Sequence, residues 1–155
     1  MIVIAAVGQK LPDWVNTACA DYLERFPPSF KVALKEVKAE PRTTGKTVPE
    51  MKAAESSRLW AAAEGCEVRV ALDERGRTLT TEAFAQFLGR LEPQTRSIAF
   101  FIGGADGLDA DLKARCEHQI CLSAMTLPHG LARVMLAEQI YRAWSLSNHH
   151  PYHRA

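Results

Sequence analysis

Along the chain, apolar positions recur with a period that switches between two residues and about 3.6, the mark of strands alternating with helices. Ile2–Val7 reads as a strand and Asp13–Phe26 as a helix halted by Pro27 and Pro28. Phe30–Val37 alternates apolar and polar side chains, which predicts a strand with one wet face. The polar stretch Glu40–Lys46, holding Pro41 and Gly45, is a loop. Thr47 and Glu50 then stand as a capping box opening a helix that runs to Glu64 and stops at Gly65.

Further on, Cys66–Leu72 is a strand, Asp73–Arg77 a polar turn and Thr80–Leu91 a helix. Ser97–Ile102 is almost wholly apolar, as in a central parallel strand covered on both faces. A glycine turn, a short helix near Ala110–Glu117 and a strand near Ile120–Leu122 precede the last helix, Leu131–Leu146, and a tail, Asn148–Ala155. The alternation predicts an α/β fold with a mostly parallel sheet and helices on both faces, built as one domain over residues 1–155. The last helix carries Leu131, Val134, Met135 and Tyr141 on one face, widened by Leu136, Ile140 and Trp144. So broad an apolar sector is covered on two sides, either within its own chain or by a second subunit.

Composition adds exclusions. The chain of 155 residues is 47% hydrophobic and 24% charged, which excludes disorder, and no apolar run approaches the length of a membrane span. The start Met1–Ile4 lacks the positive charge of a signal peptide, so a cytoplasmic protein is expected. Cys19, Cys66, Cys116 and Cys121 form no C-x-x-C pair and read as plain thiols, neither disulfide nor metal ligands. The formal net charge of +1 argues against gripping nucleic acid by bulk charge. Charge is uneven, though: from Arg142 to Arg154 there are two arginines, three histidines and no acid.

Two segments carry candidate chemistry. Gly103, Gly104 and Gly107 follow the central strand, where α/β proteins bind ligands, but the G-G-x-x-G pattern is neither a dinucleotide fingerprint nor a P-loop. Leu122-Ser123-Ala124-Met125-Thr126-Leu127-Pro128 is uncharged where a polar turn is usual, and it is expected to be buried, its backbone satisfied by packing or by a ligand offering an adenine edge.

Taken together and in order, Ile102-Gly103-Gly104 with Gly107-Leu108, Leu122 to His129, Tyr141-Arg142-Ala143-Trp144-Ser145 and His149 to Arg154 resemble the signatures of the ribosomal RNA large subunit methyltransferase H family, of the SPOUT class. Val7-Gly8, Pro12-Asp13-Trp14 and Tyr22 to Phe26 are similar to that family's opening, and Ala39 to Glu64 resembles it mainly in pattern. The resemblance implies a SPOUT fold with a C-terminal trefoil knot and a homodimer. It implies methylation of N3 of a pseudouridine in 23S rRNA, on the assembled ribosome, with S-adenosylmethionine as cofactor. The implied cofactor contacts are Leu72, Gly103, Gly104, Leu122, Ser123, Ala124, Met125, Thr126, Leu127 and Pro128. Tyr152, His153 and Arg154 would meet the target base, with His153 the base of choice near neutral pH. Arg142 would orient a phosphate or help stabilise the imidate; equally, it could simply pair with Glu138 one turn earlier. Competing readings are a SPOUT methyltransferase for another RNA, or a ribosome-binding factor without catalysis.

Overall fold

The computed structural model describes residues 1–43, 45–93 and 95–154; Thr44, inside the expected loop, and Ala155, at the end of the tail, lie outside them. Five strands, β1 (Ile2–Val7), β2 (Val32–Val37), β3 (Val68–Thr78), β4 (Ile98–Ile102) and β5 (His118–Cys121), pair in the order β2-β1-β4-β3-β5. Every pairing is parallel. Between them run α1 (Asp13–Leu23), α2 (Val48–Ala62), α3 (Thr81–Leu91), α4 (Ala110–Arg115) and, last, α5 (His129–Ser147).

The strand period of two sorts β1 and β4 onto two cores. Ile2, Ile4 and Ala6 join Ile98, Phe100 and Ile102 beneath α3 and α5. Val3, Ala5 and Val7 join Ala99 and Phe101 against Leu59 of α2 and Leu112 of α4. Both central strands are buried throughout, as their unbroken apolar runs require. Helix α5 lies between α1 and α3. Its Leu136, Ala137, Ile140, Tyr141 and Ala143 are buried by its own chain, while Leu131, Val134, Met135 and Trp144 remain half-buried.

Boundaries moved where a local signal met a tertiary one. The first helix ends at Leu23, short of Phe26, whose ring stacks on Phe30 and meets Tyr141 edge-on. β2 starts at Val32 and β5 at His118, and α5 begins two residues before Leu131. The larger correction concerns Asp73–Arg77, expected as a turn. It belongs to β3, whose register slips so that Leu72 and Arg77 both face Ile120, leaving Asp73–Gly76 bulged out of the ladder. Capping chemistry fares better: Thr47 Oγ1 accepts from the Glu50 N–H at 3.3 Å, and Gly65 takes a φ of +86°.

All four cysteines are free thiols, three of them buried and Cys116 half-buried. Among the described residues no helix is long and apolar enough to cross a membrane.

Nothing in the local pattern around Arg133 marks it as buried. It is 1% exposed, ion-paired to Glu36 of β2, and its Nη2 donates to the carbonyls of Val7 and Gly8 at 3.3 and 3.1 Å. These bonds fix the start of α5 to the carboxyl end of the sheet. Truncating Arg133 to Ala strands two buried carbonyls and leaves a cavity, so stability should fall by about 3 kcal/mol in urea unfolding. A loss within measurement error would show that α5 is held by its apolar face alone.

Candidate active site

The bulge of β3 and the carboxyl ends of β4 and β5 open onto one cleft of about 590 Å³, the usual place for a ligand in a parallel sheet. The glycine turn Gly103–Leu108, the β3 bulge Asp73–Arg75 and the Leu122–Pro128 loop form its walls, and His129 and Ala132 of α5 close the end. Of the ten expected cofactor residues, nine line this cleft: Leu72, Gly103, Gly104, Leu122, Ser123, Met125, Thr126, Leu127 and Pro128. Ala124 is exposed and lies outside the lining.

Glycine is required at 103 by space. A Cβ there would lie 2.6 Å from the Gly107 carbonyl carbon and 2.9 Å from its oxygen. The turn can therefore close on itself, with the Gly107 N–H bonded to the Gly104 carbonyl at 3.1 Å, only without a side chain. The Leu122–Pro128 loop departs from its expected burial: Met125 is 78% exposed, and Ala124 and Thr126 are exposed too. The Met125 N–H is satisfied locally by Ser123 Oγ at 3.0 Å, so the loop stands open at the cleft rim without needing to pack.

Sequence reasoning overlooked the charged lining. Asp73, Glu74, Arg75, Asp106, Lys52 and Lys113 mix both signs around the opening. Asp73 pairs with Lys113 at 3.4 Å, and Asp106 with Arg42. The signal was the position of residues 73–75 directly after a strand's carboxyl end, passed over because they look like an ordinary turn. A cavity of this size, with close-approach glycines on one wall and apolar loop residues on the other, fits an adenosyl group carrying an amino-acid tail.

The tail occupies another place. It folds back on the far half of α5, where Glu138 Oε1 accepts from Arg142 Nε at 2.9 Å, from Arg142 Nη2 at 2.6 Å and from the Tyr152 hydroxyl at 2.9 Å. Arg142 thus makes the intrahelical pair that its spacing allowed. Its Nη1 lies 3.1 Å from His153 Nδ1, and a guanidinium can only donate, so Nδ1 is the acceptor. His153 Nε2 is 3.5 Å from Glu82 of α3. The Tyr152 ring meets Tyr141 edge-on with centroids 4.8 Å apart, while Arg154 is exposed. The structure thus gathers Arg142, Tyr152 and His153 but leaves them outside the cleft lining. Ala132, at the cleft, and Arg142 are separated by about 15 Å of helix.

With this geometry in view, comparison with known proteins is decisive. A family model described as "Predicted SPOUT methyltransferase" matches residues 1–153. The chain belongs to this family. A relative from Bordetella petrii, "Ribosomal RNA large subunit methyltransferase H", is 53% identical over 99% of both chains. Among solved structures, a "Probable Methyltransferase" of Bordetella pertussis shares the fold at 17% identity, with a TM-score of 0.59 over 92% of this chain and 95% of that one. A Legionella pneumophila protein solved with the bound cofactor SAM superposes at 12% identity and a TM-score of 0.50, over 92% of this chain and 66% of that one. These two show the fold alone; the relative of high identity carries the family branch.

Burial, then hydrogen bonding with Tyr22 and Glu138, pushes the Tyr152 phenol above the ordinary tyrosine range. A phenol that holds its proton more tightly when docked keeps the tail down below pH of about 10 and releases it as pH climbs further. Absorbance at 295 nm should show one of the three tyrosines ionising well above pH 10, and Tyr152→Phe should erase that step. A titration unchanged by the substitution would mean that the tail is not docked in solution.

Proposed function

We propose that this protein transfers a methyl group from S-adenosylmethionine to N3 of a pseudouridine in 23S rRNA, acting as a homodimer on the assembled ribosome in the cytoplasm. One observation carries the reading. The cleft that fits the cofactor lacks a general base among the tail residues, and those residues are gathered at the other end of α5. A second copy, packed on the half-buried strip of Leu131, Val134 and Met135, would bring one tail to the other subunit's cleft. The name of the Bordetella petrii relative and the SAM bound to the Legionella pneumophila protein support the substrate and donor.

S-adenosylmethionine supplies a methyl group already activated by its sulfonium charge. The residues Gly103, Gly104 and Leu122 to Pro128 would hold the donor, excluding water and setting the line of approach. Alignment of that kind is worth about 7–11 kcal/mol in favourable systems. The imide proton must leave N3, and His153, once its Nδ1 no longer accepts from Arg142, would take it, a contribution of roughly 10²–10⁴-fold. Tyr152 would stack on the base, Arg142 would balance the charge left on the ring, and Arg154 would hold a neighbouring phosphate. The net charge of +1 is too small to hold free RNA, so ribosomal particles should react well above the rate of naked transcripts.

The test is transfer of tritiated methyl to ribosomes lacking the modification, with mass mapping of the rRNA. Gly103→Ala should abolish transfer through the cleft, and His153→Ala combined with Tyr152→Phe should abolish it through the tail. Mixed and re-equilibrated, the two inactive proteins should recover about a quarter of wild-type activity, since half the dimers pair one intact cleft with one intact tail. Label on another RNA would overturn the substrate, and no recovery on mixing would overturn the shared site.

A further inference from the structure

Glu55 of α2 is 2% exposed, and it lies directly behind the glycine turn of the cleft. Its Oε2 accepts the Glu40 N–H at 2.9 Å, whereas Oε1 is buried without a hydrogen-bond partner among the described residues. A Cβ built on Gly104 would stand 3.4 Å from Oε1, 3.6 Å from Oε2 and 3.1 Å from Val7 Cγ1. Residue 104 has no left-handed backbone to explain a glycine. Val7 beneath it is the tight contact that favours one, and the Glu55 carboxylate lies beside it at ordinary van der Waals distance, so the turn rests on both.

Arg42, from the connection between β2 and α2, meets the same turn from outside. Its Nη1 bonds to Asp106 at the tip of the turn and lies 3.3 Å from Met51 Sδ, while Nη2 is 3.9 Å from Glu55 Oε2. One guanidinium thus spans the turn's exposed carboxylate and the buried one behind it. The connection is itself fastened: Glu40, 5% exposed, pairs with Lys46 and with Arg58 of α2 at 2.7 Å. These two cations hold the Glu40 carboxyl below the usual carboxylate range.

We propose that Arg42 and Glu55 are positioning residues for the methyl-donor site, clamping the Gly103–Leu108 turn between a buried carboxylate floor and a guanidinium strap. The proposal rests on the cleft being the donor site, and it adds residues that do not themselves line the cleft. The clamp replaces the freedom of a glycine-rich turn with one geometry before the donor arrives, so its loss shows as weaker donor binding with little change in the global fold.

The experiment pairs hydrogen exchange on the unliganded protein with calorimetry using S-adenosylhomocysteine. In Arg42→Ala and in Asp106→Asn, amides of Gly104 to Gly107 should exchange faster while those of α5 keep their protection. Each variant should bind S-adenosylhomocysteine about fivefold more weakly, the worth of one partly exposed ion pair. The double variant should lose no more than either single one, and Arg42→Lys should recover most of the affinity. Glu55→Gln, which keeps the shape and removes the charge, should act in the same direction. Unchanged exchange in the turn, or effects that add in the double variant, would overturn the clamp. If the wild type failed to bind S-adenosylhomocysteine, the donor-site reading would fall, while the exchange data would still decide the clamp.

Discussion

Everything at the functional end of this molecule is referred to one buried cation. Arg133 lies where α5 meets the carboxyl edge of the sheet, and its two terminal nitrogens are held by Glu36 and by the carbonyls of Val7, the last residue of β1, and Gly8 just after it. Burying an arginine costs several kcal/mol, which is offset only when a carboxylate and further acceptors surround it. That demand is directional in a way that apolar packing is not. An apolar helix face can slide along a sheet, whereas a guanidinium bonded to two named carbonyls sets one register for α5. Through it are set the Leu122–Pro128 loop that feeds the helix and the tail that leaves it.

The cleft follows from topology together with two close approaches. Parallel strands β4 and β5 end on the side where β3 bulges out of the ladder, so all three send a segment away from the sheet at one place. β3 bulges at Asp73–Gly76, β4 breaks into the glycine turn and β5 into the uncharged loop. The missing side chain at 103 lets the glycine turn fold tightly on itself, and the missing one at 104 lets it settle on Val7 and Glu55. A methyl group at 103 would collide with the backbone of Gly107 and force the turn apart, whereas one at 104 would crowd Val7 by only a few tenths of an ångström.

Much of this was legible in the sequence. The uninterrupted apolar runs of β1 and β4 announced central parallel strands, and Thr47 with Gly65 marked the limits of α2 to within a few residues. The wall of the cleft was legible because glycines and uncharged residues at strand ends break the local rule that turns are polar. Asp73–Arg77 was misread because its polar side chains obey that rule while the backbone rejoins β5 beyond the bulge. Arg133, Glu55 and Arg42 escaped notice for a different reason. Each looks like an ordinary charged position on a helix or loop, and its meaning comes from partners far away in sequence, such as Glu36 and Asp106. Pairings of that kind leave no local periodicity to read.

The docking of the tail on Glu138 has a bearing on selectivity. Arg142 and the Tyr152 hydroxyl already share one carboxylate oxygen, so neither waits as an empty receptor. A phosphate or a base edge that engages them does so by exchange, and its gain is the difference between two satisfied states. Such a difference is small for any anion that merely drifts past, and large only for a surface that replaces every lost contact at once. The chain thereby keeps these donors engaged on its own carboxylate until a surface arrives that replaces every one of those contacts.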